Sequence, residues 1–218
     1  MNGESGPPVK RPDRRKERTR GALIAAAQRL LAAGATSVSI QEITDSADVG
    51  FGSFYNHFAS KDELFAAAVA ATLDAWARVR DNVVAGIEDP AEVFAVSYRM
   101  TGRLQRVQPE LVRVLLNSGT AFLQSDRGLR PRALADLAAG MAAGRYTVSD
   151  PELAFMVAGG ALLGLLQMLE GQPELDGDAT SDAFAQRVLV MLGVSEEEAR
   201  RLCALPLPLM PPIPPVNA

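Results

Sequence analysis

From about residue 14 onward, apolar positions recur three and four apart, and runs that alternate every second residue are rare. Leu23, Ala27, Leu30 and Leu31 lie at helical spacing over residues 14–33, with Gly34 as a stop. Ser39 and Glu42 have the Ser-x-x-Glu spacing of a capping box, in which side chains and free backbone N–H groups satisfy one another. Ile40, Ile43 and Ala47 give the short helix behind that box its apolar side. A third helix is predicted over residues 51–58, and a second box, Ser60 with Glu63, opens a long fourth helix to about Val84. Asp89 before Pro90 and Asp150 before Pro151 each put a cap ahead of a proline at the first helical position, starting helices over about 90–107 and 151–170. Others are predicted at 110–124, 131–143 and 179–192, with a further one at 195–203. The pattern predicts an all-α chain of about nine helices, or ten with the last.

Composition sharpens this in three places. With 218 residues, 48% of them hydrophobic, the chain can bury a sizeable core. No signal peptide is visible and the single cysteine, Cys203, cannot form an internal disulfide, so a reducing cytoplasm is expected. Residues 153–169 carry no charge and approach the length of a membrane span, but Gln167 and the flanking Glu152 and Glu170 favour a buried helix, and no membrane is expected as a partner. The net charge of −4 is unevenly divided: residues 1–61 hold nine Lys/Arg against six Asp/Glu. Lys10, Arg11, Arg14, Arg15, Lys16, Arg18 and Arg20 supply most of that basic share, a cluster suited to phosphate contacts and counterion release.

Candidate chemistry gathers in FGSFYNHFASKDEL, residues 51–64, which contains the only histidine, His57, and three of eight phenylalanines. Residues 39–58 read as short helix, tight connection, short helix, which is helix-turn-helix geometry. On a helical wheel Phe54 and Phe58 share one face, Gly52 and Asn56 lie opposite, and Ser53 and Tyr55 flank them. Gly52 and Ser53 are small enough for backbone to approach a duplex; Tyr55, His57 and Lys61 can donate to phosphates. Phe51 could touch a thymine methyl or tuck inward; the wheel, which sets it nearer Phe58, favours tucking. An enzyme is not expected: there is one histidine, one cysteine, no Gly-rich phosphate loop and no metal-ligand spacing, and neither cofactor nor metal is predicted.

The string VSIQEITDSADVGFGSFYNHFASKDELF resembles the DNA-binding signature of the tetracycline-repressor-like (TetR) family of bacterial regulators over about residues 14–65. The resemblance implies that 51–57 is the recognition helix and 39–47 its support. Ser53 then sits at the groove, Tyr55, His57 and Lys61 on phosphates, and Gln41 where a supporting-helix side chain can reach a base. Arg15, Lys16, Ser39, Phe51, Gly52 and Asn56 complete the candidate DNA-binding set; Gly50 and Phe51 depart from the residues usual in the family.

The resemblance further implies a homodimer that binds a palindromic double-stranded operator and, through a small, largely apolar effector, releases it. The boundaries follow: a disordered basic arm at 1–13, the DNA-binding domain at 14–65, a ligand-binding and dimerisation domain at 66–203 and a Pro-rich tail at 204–218. Within the third unit GMAAGRYTVSDPELA, residues 140–154, resembles a recurrent junction of the family. Candidate effector-pocket residues are Trp76, Phe94, Tyr98, Met100, Arg103, Phe122, Met141, Phe155 and Met168, since aromatics and methionines adapt to varied ligands. Gly160 and Gly164, four apart, would admit a second helix closely, and with Leu189 they are assigned to the dimer interface; close packing inside one chain is the competing explanation. The alternative to a regulator is a helical interaction protein without sequence-specific DNA binding.

Overall fold

The structure, a computed structural model, describes residues 11–120, 123 and 129–209. Helix starts follow the caps. Ser39 and Glu42 exchange both bonds of a capping box at the head of α2 (Ile40–Ser46), at 2.7 and 3.2 Å. Ser60 accepts from the Glu63 N–H at the head of α3 (Lys61–Val84), while the Glu63 carboxylate reaches one residue further back, to the N–H of Ala59 at 2.6 Å. Asp89 and Asp150 cap α4 (Pro90–Val107) and α7 (Pro151–Gly171), each ahead of a proline. Asp176 caps α8 (Gly177–Met191) and Ser195 caps α9 (Glu196–Ala204).

The remaining helices are α1 (Arg11–Ala32), α5 (Pro109–Asn117) and α6 (Leu129–Ala142); among the described residues there is no strand. The helix α1 starts three residues before the predicted position, inside the segment expected to be a disordered arm. The helix predicted over 110–124 stops at Asn117, because the Ser118 hydroxyl turns back to the Leu115 carbonyl at 2.7 Å and Gly119 takes a φ of 65°. Residues 1–10, Phe122 and most of the Pro-rich tail lie outside the described residues.

Three apolar clusters run along the molecule. The first joins Leu23, Ala27 and Leu31 of α1 to Ile43, Phe54, Phe58 and Leu64, and takes in Val114 and Leu115 of α5. The second packs Trp76 and Val79 of α3 on Val96, Met100 and Leu104 of α4 and on Leu166 of α7. The third holds α4 and α6–α9 together through Leu137, Phe155, Leu165, Leu189 and Leu202. Thus α3 runs from the first cluster into the second, and α5 contributes to both, through Leu115 to the first and Val112 to the second. Removing a fully buried ring such as Phe54 would cost about 3–5 kcal/mol.

Close approach of α4 to α7 and α8 uses Gly102, while the pair Gly160 and Gly164, assigned from the sequence to the dimer interface, takes no part in it. A Cβ on Gly102 would lie 2.6 Å from Ser181 Oγ and 2.8 Å from Leu165, where α4, α7 and α8 meet. Where a Cβ on Gly160 or Gly164 would lie, nothing among the described residues beyond the adjacent helix backbone comes within 4 Å.

Candidate nucleic-acid interface and effector cavity

The end of α2 is fixed by Arg29 of α1, whose guanidinium donates to the Ser46 carbonyl at 2.7 Å. The chain then turns through Asp48, the one described non-glycine residue in the left-handed region, at φ 53°. Its N–H and that of Val49 bond back to Asp45 and Thr44 at 3.1 and 3.0 Å, closing α2 as a left-handed cap that an Asp tolerates.

Phe51–Asn56 then forms a 3-10 helix rather than the α-helix predicted over residues 51–58. The segment is six residues long, begins on Gly50 without a side-chain cap and contains Gly52, so little favours the longer α-helical ladder. The change of winding matters for Phe51. An α-helical wheel puts it beside Phe58, but at three residues per turn that alignment is lost, and Phe51 stands 47% exposed rather than tucked.

Phe54 and Phe58 are buried, and Phe51, Gly52, Tyr55 and Asn56 are exposed together on the outer face with Ser53 half-buried beside them. Beyond its chain neighbours, nothing among the described residues lies within 4 Å of where a Gly52 Cβ would be, so the backbone there is open to approach. Gln41 is exposed on α2, its amide donating to Asp45 at 2.7 Å, and the exposed Ser39 hydroxyl is occupied in its capping box.

Lys61 uses one ammonium proton on the Val38 carbonyl at 3.0 Å, tying the start of α3 to the loop before α2. Its other two protons are available to a phosphate. Arg15 and Lys16 are exposed on α1, and Arg20 lies over the Phe58 ring at 5.1 Å. His57 is half-buried with no hydrogen-bond partner at Nδ1 among the described residues; burial, then Lys16 and Arg20, push its pKa below 6.5. Arg20 is a neighbour of this site that the candidate set omitted, although its place in the basic run pointed to it.

Twelve residues along α3 from Lys61, Leu73 enters the wall of a cavity of about 100 Å³ between α3, α4, α6 and α7. Phe94, Tyr98 and Phe155 line it, the first two rings stacked at 5.6 Å. Burial pushes the Tyr98 hydroxyl up from its ordinary value, and its proton goes to the Ala158 carbonyl at 3.3 Å.

Other expected pocket residues lie elsewhere. Trp76 and Met100 are packed in the second cluster, with the indole N–H donating to Thr101 at 3.1 Å. Met141 and Met168 pack against the third cluster, and Arg103 is held by Asp182 at 3.0 Å.

In their place stands a charged group that the aromatic pattern did not indicate. Arg80 of α3 is 6% exposed and donates to Ser97 at 2.8 Å, to Asp81 at 3.1 Å and to Asp136 of α6. Arg132 of α6 completes the network on Asp81 at 2.6 Å. Burial raises the Asp136 pKa, against the opposing effect of Arg80. The sequence carried one signal for this cluster: Arg80 continues the buried row of Leu73, Trp76 and Ala77, a place where a cation needs a partner.

On the far side of α7, Leu153, Met156 and Val157 are exposed at 63%, 44% and 46%, in line with the open Gly160 and Gly164. This apolar helix is long enough to cross a membrane by length and composition, yet its other face is buried through Phe155, Leu165 and Leu169 in the third cluster. Leu189 is fully buried within its own chain and does not join that outer face.

Residues 23–68 match the family model of bacterial regulatory proteins of the tetR family, and residues 89–204 match that of the tetracyclin repressor-like C-terminal domain. The crystal structure of RolR without ligand is 33% identical over 87% of this chain and 99% of that one, with a TM-score of 0.72. RolR in complex with resorcinol gives 32% identity over 91% of this chain and 100% of that one, at 0.68. SmeT, the repressor of the Stenotrophomonas maltophilia multidrug efflux pump SmeDEF, shares the fold at 18% identity and a TM-score of 0.59, over 79% of this chain and 89% of that one. No curated protein matches the sequence. With both halves of the signature present on one helical scaffold, the chain belongs to the TetR family of bacterial transcription regulators.

Proposed function

We propose that the chain is a homodimeric repressor that binds a palindromic operator in the cytoplasm and leaves it when a small molecule enters the cavity. The observation that carries this is the course of α3: Lys61 at its start belongs to the polar face around Phe51–Asn56, and Leu73 and Arg80 line the cavity. A ligand that shifts α3 at Arg80 therefore acts on the element that holds the reading head, and it favours whichever arrangement it binds better. Tyr55, His57, Lys61, Arg15 and Lys16 serve as phosphate contacts, and Ser53, Gly52 and Gln41 face the groove. The exposed stripe on α7 from Leu153 to Gly164 meets its two-fold mate and sets the half-sites about 34–36 Å apart.

The cavity has stacked aromatic walls and, at one side, a guanidinium and a carboxylate. That combination suits a small aromatic molecule carrying hydroxyl groups, which can donate to Asp136 and accept from Arg80. Resorcinol, the ligand in the RolR complex, is of this class.

The test is fluorescence anisotropy with the duplex upstream of the gene and a scrambled duplex of equal length, at moderate salt. Tighter binding to the upstream duplex, relieved by a dihydroxybenzene, is expected. Equal affinity for both duplexes would favour a helical interaction protein instead.

A further inference from the structure

We infer that Phe51 selects thymine, by placing its ring against the 5-methyl group in the major groove. This rests on the DNA-binding function proposed above and adds to it a base preference. Among the described residues the two exposed large aromatic side chains, Phe51 and Tyr55, stand side by side, with their rings edge to face at 6.0 Å. Tyr55 is in turn set edge-on to the buried Phe54 at 5.3 Å. Three aromatic rings thus run from core to surface, and Phe51 is held outward by a neighbour that is itself anchored. A single exposed apolar side chain is ordinary on a protein surface. One braced on the outer face of a helix-turn-helix, beside the open backbone of Gly52, is placed for an apolar partner.

The duplex offers few such partners. In the major groove the edges of guanine, cytosine and adenine present hydrogen-bonding groups, which a phenyl ring cannot satisfy, and thymine alone presents a methyl group. The surroundings are cationic, with Lys16, Arg20 and Lys61 on the neighbouring helices, so phosphate attraction would bring the ring to the groove without deciding where it stops. Phe51 would then contribute to register through a contact that needs no hydrogen bond.

Deoxyuridine isolates the contact, because it lacks only the methyl. A bound sequence is first selected from random duplexes with the full-length chain. Each thymine is then replaced singly by deoxyuridine, and affinity is measured for the native chain, Phe51→Leu and Phe51→Ala. At one thymine position in each half-site, loss of the methyl should weaken the native chain about fourfold, and replacement in both half-sites about fifteenfold, as expected for one buried methyl each. Phe51→Leu should remain sensitive at that position and Phe51→Ala should not. If every replacement weakens Phe51→Ala as much as the native chain, the methyl contact belongs to another residue or to none, and the inference is overturned while DNA binding stands. If selection enriches no sequence over random, DNA recognition itself fails and the inference with it. Should Phe51→Ala not fold, the comparison of the native chain with Phe51→Leu decides: a native chain indifferent to every deoxyuridine overturns the inference.

Discussion

Asn117, the last residue of α5, donates its side-chain N–H to the carbonyl oxygen of Leu31 near the end of α1, at 2.7 Å. The bond ties α5 to α1, the helix behind the reading head, and beside it Val114 and Leu115 are buried in the first cluster. Asn117→Ala is expected to lower stability by about 1 kcal/mol, and Val114→Ala by about 2 kcal/mol, because the second leaves a cavity as well as losing contact. Urea denaturation followed by circular dichroism measures both. A larger loss for Asn117→Ala than for Val114→Ala would contradict this account.

The dimer seam proposed on the outer face of α7 and the buried Leu189 give different expectations for assembly and for folding. Met156→Glu with Val157→Glu places charges on the exposed stripe and should yield a folded monomer by sedimentation velocity. Leu189→Glu puts a charge into a fully buried position and should unfold the chain, costing more than about 4 kcal/mol.

The phosphate contact proposed for His57 would make DNA affinity depend on pH. In the free protein burial and then the nearby Lys16 and Arg20 lower the pKa of His57 and favour the neutral ring. A phosphate beside the ring would raise that pKa, so binding would take up a proton and tighten as pH falls. The slope is at most about tenfold per pH unit for each proton taken up. Anisotropy titrations between pH 8 and pH 6 should show tighter binding at the lower pH for the native chain and a flatter profile for His57→Gln.

Glu198 links stability to pH in the opposite sense. Hydrogen bonds from Arg201 and then Arg145 lower its pKa from 4.5 to about 2. Arg145 also donates to Asp89 at 2.8 Å, so the carboxylate helps join α9 to the start of α4. With the folded value below the unfolded one, this stabilisation is present above pH 4.5 and is lost as pH falls through about 2. Thermal melts of Glu198→Gln between pH 5 and pH 2 should fall less steeply than those of the native chain, and parallel slopes would show that the pair contributes nothing.

Local order was legible because it depends on local chemistry. Apolar spacing, capping boxes and Asp before Pro are properties of four to eight neighbouring residues, and they were enough to predict the all-α fold. The motif around Phe54 and Phe58 implied the family by resemblance for the same reason: a helix-turn-helix is short and its polar residues follow one another in the chain. Even there the winding of Phe51–Asn56 was not legible, since an α-helix and a 3-10 helix of six residues differ little in local preference.

The cavity could not be read in this way. Its wall joins Arg80, Phe94, Asp136 and Phe155 from four helices, and which residues of an apolar stripe face a cavity rather than a neighbour depends on how those helices cross. Trp76 and Met100 have the same composition signal as Phe94 and Tyr98 and pack into solid core. What the sequence determined by itself was the helices, their capped starts and the reading motif, because each is stabilised within its own segment. The partner of Arg80 and the open face at Gly160 were decided only by the tertiary structure, because each depends on what a distant segment does or does not bring within contact distance.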